Sequence, residues 1–181
     1  SLTKVVGMTS GVLRLVQEGR VDLDAPVQRY LPAWTGAGKE RVTVRHLLTH
    51  SSGLPSWRPL YKEASSPSQA LALVFATPLD TVPGARMVYS DLGAILLGQI
   101  VTRVAGVPFN AFVTRQVFRP LGMRETAWRP ATSLRARIEE GRLASGAGAY
   151  ATHDIVPAYL DRIVGDVKVA RPMKIAVDCG N

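Results

Sequence analysis

The stretch SLTKVVGMTSGVLRLVQEG at the head of the sequence sets apolar side chains at Val5, Met8, Val12, Leu15 and Val16. Only a helix gathers that spacing on one face, so the segment predicts a buried amphipathic helix with Gly19 as its stop. With 46% apolar residues in 181, the chain has enough material for a core of one domain or one and a fraction. On such a helix Ser1 and Lys4 lie one turn apart on the same side. Ser1 then sits beside unpaired backbone N–H groups at the positive end of the helix dipole, where a nearby donor can stabilise an oxyanion. The same letters also fit an N-cap serine and a surface lysine.

Further helices are expected around Leu47, from Ser90 to Ala105, and from Phe109 to Val117. In YSDLGAILLGQIV, Ser90 or Asp91 is a candidate N-cap, and Leu92, Ile95, Leu96 and Ile100 form the buried stripe. SSGLP and TVPG read as turns. His46 and His50 are four apart, a zinc-like spacing, but without a third ligand they read as structural histidines that hold the following loop. Neither a metal nor a cofactor is expected. The single Cys179 supports no internal disulfide and no multi-cysteine metal site.

The 22 basic and 14 acidic residues give a net charge of +8. The basic residues are dispersed singly, without a basic block or interleaved aromatics, so the charge reads as a solvated surface and no nucleic-acid partner is expected. No run of eighteen apolar residues and no signal peptide is visible. Any export signal would lie upstream.

Taken together, Ser1-Leu2-Thr3-Lys4, VDLDAPVQRYLP, RVTVRHLLTHSSGLP and the stretch from TPLDTVPGARMVYSD to FRPLGMRETAW resemble the serine β-lactamase-like family. That family includes class C β-lactamases, penicillin-binding DD-peptidases and related esterases, and the likeness covers about residues 1–131. It implies that Ser1 is the acylated nucleophile and that Lys4 helps deprotonate it. Tyr89-Ser90-Asp91 matches the motif usually written Tyr-x-Asn, which makes Tyr89 the general base and acid, its phenolate favoured by Lys4. Asp91 takes the substrate-binding position of the Asn. As a carboxylate it donates no amide hydrogen bonds and can instead pair with Lys4.

The family's third motif, Lys-Thr-Gly or His-x-Gly on a strand beside the nucleophile, occurs nowhere in the sequence. Missing too are the strands that precede the nucleophile helix and those that close the sheet. From about Ser133, the text LRARIEEGRLASGAGAYATHDIVPAYLDRIVGDVKVARPMKIAVDCGN resembles a different family, the phosphomannomutase and phosphoglucomutase group. It parses as a short helix around Ile138, a small-residue loop, a helix over Val156 to Val167 capped by Asp154, and a strand at MKIAVDCG. Neither the phosphoserine loop nor the magnesium loop of that group is present, so His153, Asp154, Asp178 and Asn181 read as loop, cap and strand-end residues.

The expected fold is therefore an α/β fragment. It is the helix-rich part of a β-lactamase/transpeptidase-like fold with most of its antiparallel sheet missing, plus a short helix–strand tail. A partial serine-hydrolase domain would occupy 1–131 and a partial mutase-like segment 132–181, joined between Trp128 and Leu134. Ser1 would be both nucleophile and cut end. The leading function is acyl-enzyme hydrolysis of an ester, a D-Ala-D-Ala peptide or a β-lactam, with the missing third motif predicting little activity. The alternatives are a catalytically silent hybrid and a phosphohexomutase fragment. An exported location fits the first parent and a cytoplasmic one the second. Uncovered helix faces would favour self-association.

Overall fold

The computed structural model describes residues 2–124, 126–128 and 131–141. The chain divides into two units, Ser1–Thr132 and Ser133–Asn181. The helix and strand expected at Val156–Val167 and MKIAVDCG lie outside the described residues. The helix expected around Ile138 is present as Thr132–Glu139.

The first unit is helical. An opening π-helical segment, Thr3–Thr9, runs directly into α1 (Ser10–Gln17), followed by α2 (Val44–Leu48), α3 (Leu60–Glu63), α4 (Pro67–Ala76), α5 (Asp91–Ala105) and α6 (Phe109–Val113). A second π-helical turn, Thr114–Phe118, extends α6. Among the described residues there is no strand, only an isolated antiparallel bridge between Pro26 and Thr43.

α5 is the axis of the unit and packs on α1, α2, α4, α6 and the opening π-segment. Leu92, Leu96, Leu97 and Ile100 are essentially inaccessible, and each such side chain contributes about 1.5–3 kcal/mol relative to exposure. Ile95, expected in this stripe, is only half-buried, and Leu97 takes its place. Ser90 caps the helix by accepting the Gly93 N–H, and Gly106, at φ 70°, ends it. The ends of α5 thus follow standard capping chemistry.

The opening helix keeps Met8, Val12 and Leu15 in the core, but Val5 is 65% exposed. A π turn closes i→i+5 bonds and carries about one residue more than an α turn, so Val5 rotates off the stripe that an α-helix would have given it. Leu2 and Leu13 are exposed as well. Gly7, in the π-segment, lies against the indole of Trp128, where a Cβ would collide with the ring. α1 stops in a Schellman motif: Gly19 N–H donates to Val16 O, and Arg20 N–H to Leu15 O.

α4, absent from the sequence expectations, starts at an N-cap Ser66 with Pro67 in its first turn. Its far end is closed by Lys39, a buried cation that donates to Phe75 O at 2.6 Å and lies 5.2 Å from the Trp34 ring. Burial holds its pKa below the ordinary lysine value, while the carbonyl end of the helix dipole offsets part of that cost.

The SSGLP loop packs on the segment before α5. Gly53, at φ 85°, meets the Thr81 carbonyl where a Cβ would stand. Gly53→Ala is therefore expected to cost about 1–2 kcal/mol for the left-handed backbone alone, with the collision added, and to lower the urea midpoint. Gly98→Ala, in the middle of α5 with open space at its Cβ, should be neutral or stabilising.

Candidate active site

The segment carrying Tyr89 is fixed by backbone hydrogen bonds to the loop that follows α2. Asp80 N–H donates to Gly53 O at 2.8 Å, Gly84 N–H to Ser51 O at 2.8 Å, Val88 N–H to His50 O at 2.8 Å and Asp91 N–H to Ser56 O at 2.8 Å. The Ser90 hydroxyl donates to Pro55 O at 2.7 Å while it also caps α5. Two turns that the sequence marks separately thus become one clamp.

α2 sets where this loop departs. Its start is a reciprocal capping box in which Thr43 Oγ1 accepts the His46 N–H and His46 Nδ1 accepts the Thr43 N–H. Its end is a second Schellman motif: His50 N–H donates to Leu47 O and Ser51 N–H to His46 O. His50 occupies the left-handed position with φ 55°, the one non-glycine residue with positive φ among those described. Both histidines hold the chain around this loop, as their spacing without a third ligand suggested. Among the described residues no group of metal-binding side chains is assembled.

Lys4, far in sequence from the neighbouring Tyr89 and Asp91, meets them where the π-segment faces the start of α5. Lys4 Nζ lies 2.7 Å from Asp91 Oδ1 and 4.9 Å from the centre of the Tyr89 ring. Ser1 lies outside the described residues. Burial pulls the Lys4 pKa down, but hydrogen bonds to Asp91 and Tyr89 outweigh it, and the net value lies above the ordinary 10.5. Lys4 is therefore an ammonium at neutral pH. The pair opens onto a cleft of about 530 Å³ whose lining includes Met8, Ile95, Gln99 and Phe109. Tyr89, 47% exposed, remains accessible.

A helical frame that sets a lysine ammonium beside a tyrosine and a carboxylate is suited to acyl transfer through an activated hydroxyl. The Beta-lactamase family model matches residues 1–170, and the chain belongs to that family. The match runs past the boundary expected near residue 131 and into the segment read as mutase-like.

The chain is 31% identical over 144 residues to the "Putative D-alanyl-D-alanine carboxypeptidase" of Escherichia coli (strain K12), covering 72% of this chain and 33% of that protein. Among solved structures, a class C β lactamase superposes with a TM-score of 0.66 at 26% identity, over 75% of this chain and 37% of the other. A β-lactamase/D-alanine carboxypeptidase from Pseudomonas syringae gives 0.65 at 25% identity, over 75% and 38%. The chain thus spans about a third of the length of these relatives. Among the described residues no single helix is long and apolar enough to cross a membrane.

Asp91→Asn removes the carboxylate that raises the Lys4 pKa, so the lysine should titrate at lower pH than in the wild type, as read by NMR of labelled lysine. A raised lysine pKa stabilises the fold fully below the ordinary lysine value and loses that contribution as pH rises through the folded value. With Asp91 half exposed, the cost at pH 7 should be only about 0.2–1 kcal/mol.

Proposed function

We propose that the chain carries the acylation centre of a serine hydrolase, with Ser1 as nucleophile, Tyr89 as general base and acid, and Lys4 as the cation that supports it. The observation that carries this reading is the Lys4 ammonium held between Asp91 at 2.7 Å and the Tyr89 ring at 4.9 Å. Ser1 Oγ attacks the carbonyl carbon and its proton passes to the Tyr89 oxygen. The C–O bond to Ser1 forms, the bond to the leaving nitrogen or oxygen breaks, and Tyr89 returns the proton to that leaving group. Water then hydrolyses the ester through the same tyrosine. Lys4 favours negative charge on the phenol oxygen throughout.

For the substrate, the carboxypeptidase relatives support a peptide ending in D-alanine, as in peptidoglycan stems, with esters and β-lactams as analogues of the same acyl group. Asp91 would hold Lys4 as a cation rather than offer a substrate the donors of an Asn. The 181 residues contain no third motif, and loss of one oxyanion donor alone costs about a hundred- to a thousandfold. We therefore infer slow acylation and little turnover for this chain. The mutase reading rests on the letters of 133–181 alone.

Intact-mass spectrometry after incubation with an activated short-chain ester tests the assignment. A slow, stoichiometric adduct on Ser1 is expected, with none in Ser1→Ala and nearly all of the rate lost in Lys4→Ala and in Tyr89→Phe, because the three act as a unit. Equal labelling of the wild type and Ser1→Ala would remove the reading.

A further inference from the structure

His50 meets the segment that carries Tyr89 in a way that loop support alone does not require. The peptide N–H groups on either side of Tyr89 both end on this one residue: Val88 N–H donates to its carbonyl at 2.8 Å and Ser90 N–H to its Nδ1 at 3.1 Å. Its ring also lies against the phenol, with centroids 4.5 Å apart and planes inclined by 36°. A left-handed position after a helix ordinarily takes Gly or Asn, and a histidine there bears a backbone cost. Glycine would satisfy the turn but would supply neither the Nδ1 acceptor nor the ring.

We propose that His50 is a positioning residue for Tyr89, its carbonyl and neutral imidazole gripping the two flanking peptides while its ring sets the plane of the phenol. This rests on the reading of Tyr89 as general base. With Nδ1 accepting, the ring proton sits on Nε2. Protonation would set two donors against each other at Ser90 and loosen the grip. The charged and titratable groups facing the imidazole are Lys4 from the opening helix, Tyr89 from the segment before α5 and Asp91 from its first turn. Burial first, then the Lys4 charge, lowers the His50 pKa, and Asp91 opposes them. The grip therefore holds above the ordinary histidine value and is lost as pH falls through the folded one.

The test is an NMR titration of the full chain labelled at tyrosine Cζ, with the Tyr89 signal assigned by its loss in Tyr89→Phe. In the wild type the Tyr89 signal should step at acid pH together with the ring protons of His50, below about pH 6.5. His50→Asn keeps a residue that tolerates the left-handed backbone and offers an amide oxygen in place of Nδ1. It should fold, abolish the acid step and, with the acceptor kept but the ring gone, slow acylation of Ser1 less than His50→Gly does. His50→Gly keeps only the backbone, and should shift the Tyr89 signal and slow acylation by about ten- to a hundredfold.

A Tyr89 signal that ignores His50 titration in the wild type overturns the proposal, even if a variant fails to fold. So does a folded His50→Gly protein that acylates at the wild-type rate. Failure of the acyl-enzyme reading shows itself differently, as labelling of Ser1→Ala, and leaves the coupled titration standing.

Discussion

The site hangs on the hydrogen bonds between the loop after α2 and the segment leading into α5. Backbone carbonyls from His50, Ser51, Gly53 and Ser56 receive N–H groups from Val88, Gly84, Asp80 and Asp91. Backbone N–H and C=O groups need partners, and among the described residues no strand runs through either segment, so the two turns satisfy each other. That need fixes the direction of α5, and α5 in turn carries Asp91 to Lys4. Gly53 permits the approach because no side chain stands between its Cα and the Thr81 carbonyl. Core burial and the polar geometry of the cleft share one cause, since the helix whose face fills the core starts at the clamp.

Much of this was legible in the sequence, where local chemistry and packing agree. Ser90 as cap, Gly19 as stop and the helices at Leu47, Asp91–Ala105 and Phe109 follow from periodicity and capping letters that tertiary contacts then reinforce. α4 was equally signalled by Ser66-Pro67, but its nearly uniform apolar run, LALVFA, offers no stripe for periodicity to find. Val5 failed because a helix register is not written in apolar spacing. The Gly7–Trp128 contact and the wider turn decide which way it faces. Lys39, one of the dispersed basic residues whose charge read as a solvated surface, is buried, and only the fold brings the open end of α4 to it.

The lysine, tyrosine and carboxylate were visible as residues of family motifs, and the resemblance implied that they group, but not at what distances. A resemblance supplies positions, and the 2.7 Å approach of Asp91 to Lys4 depends on how α5 meets the opening helix. His50 shows the same limit from the other side. Its spacing from His46 suggested a structural role, yet nothing in the letters says that its ring ends against Tyr89. Contacts between loops of distant sequence position leave no periodic trace.

The clamp also gives the cleft a free energy of its own. Its four backbone N–H donors lie in one loop-to-loop seam rather than in helix interiors, so opening the seam releases them together while α1 and the body of α5 stay folded. Amide exchange at Asp80, Gly84, Val88 and Asp91 should then report one shared opening, less protected than the centre of α5. A protein population can be fully folded by circular dichroism and still be divided into molecules whose tyrosine is aimed and molecules whose tyrosine is not. On the proposed reading, the fraction of molecules with Tyr89 aimed is set by that seam rather than by the melting point.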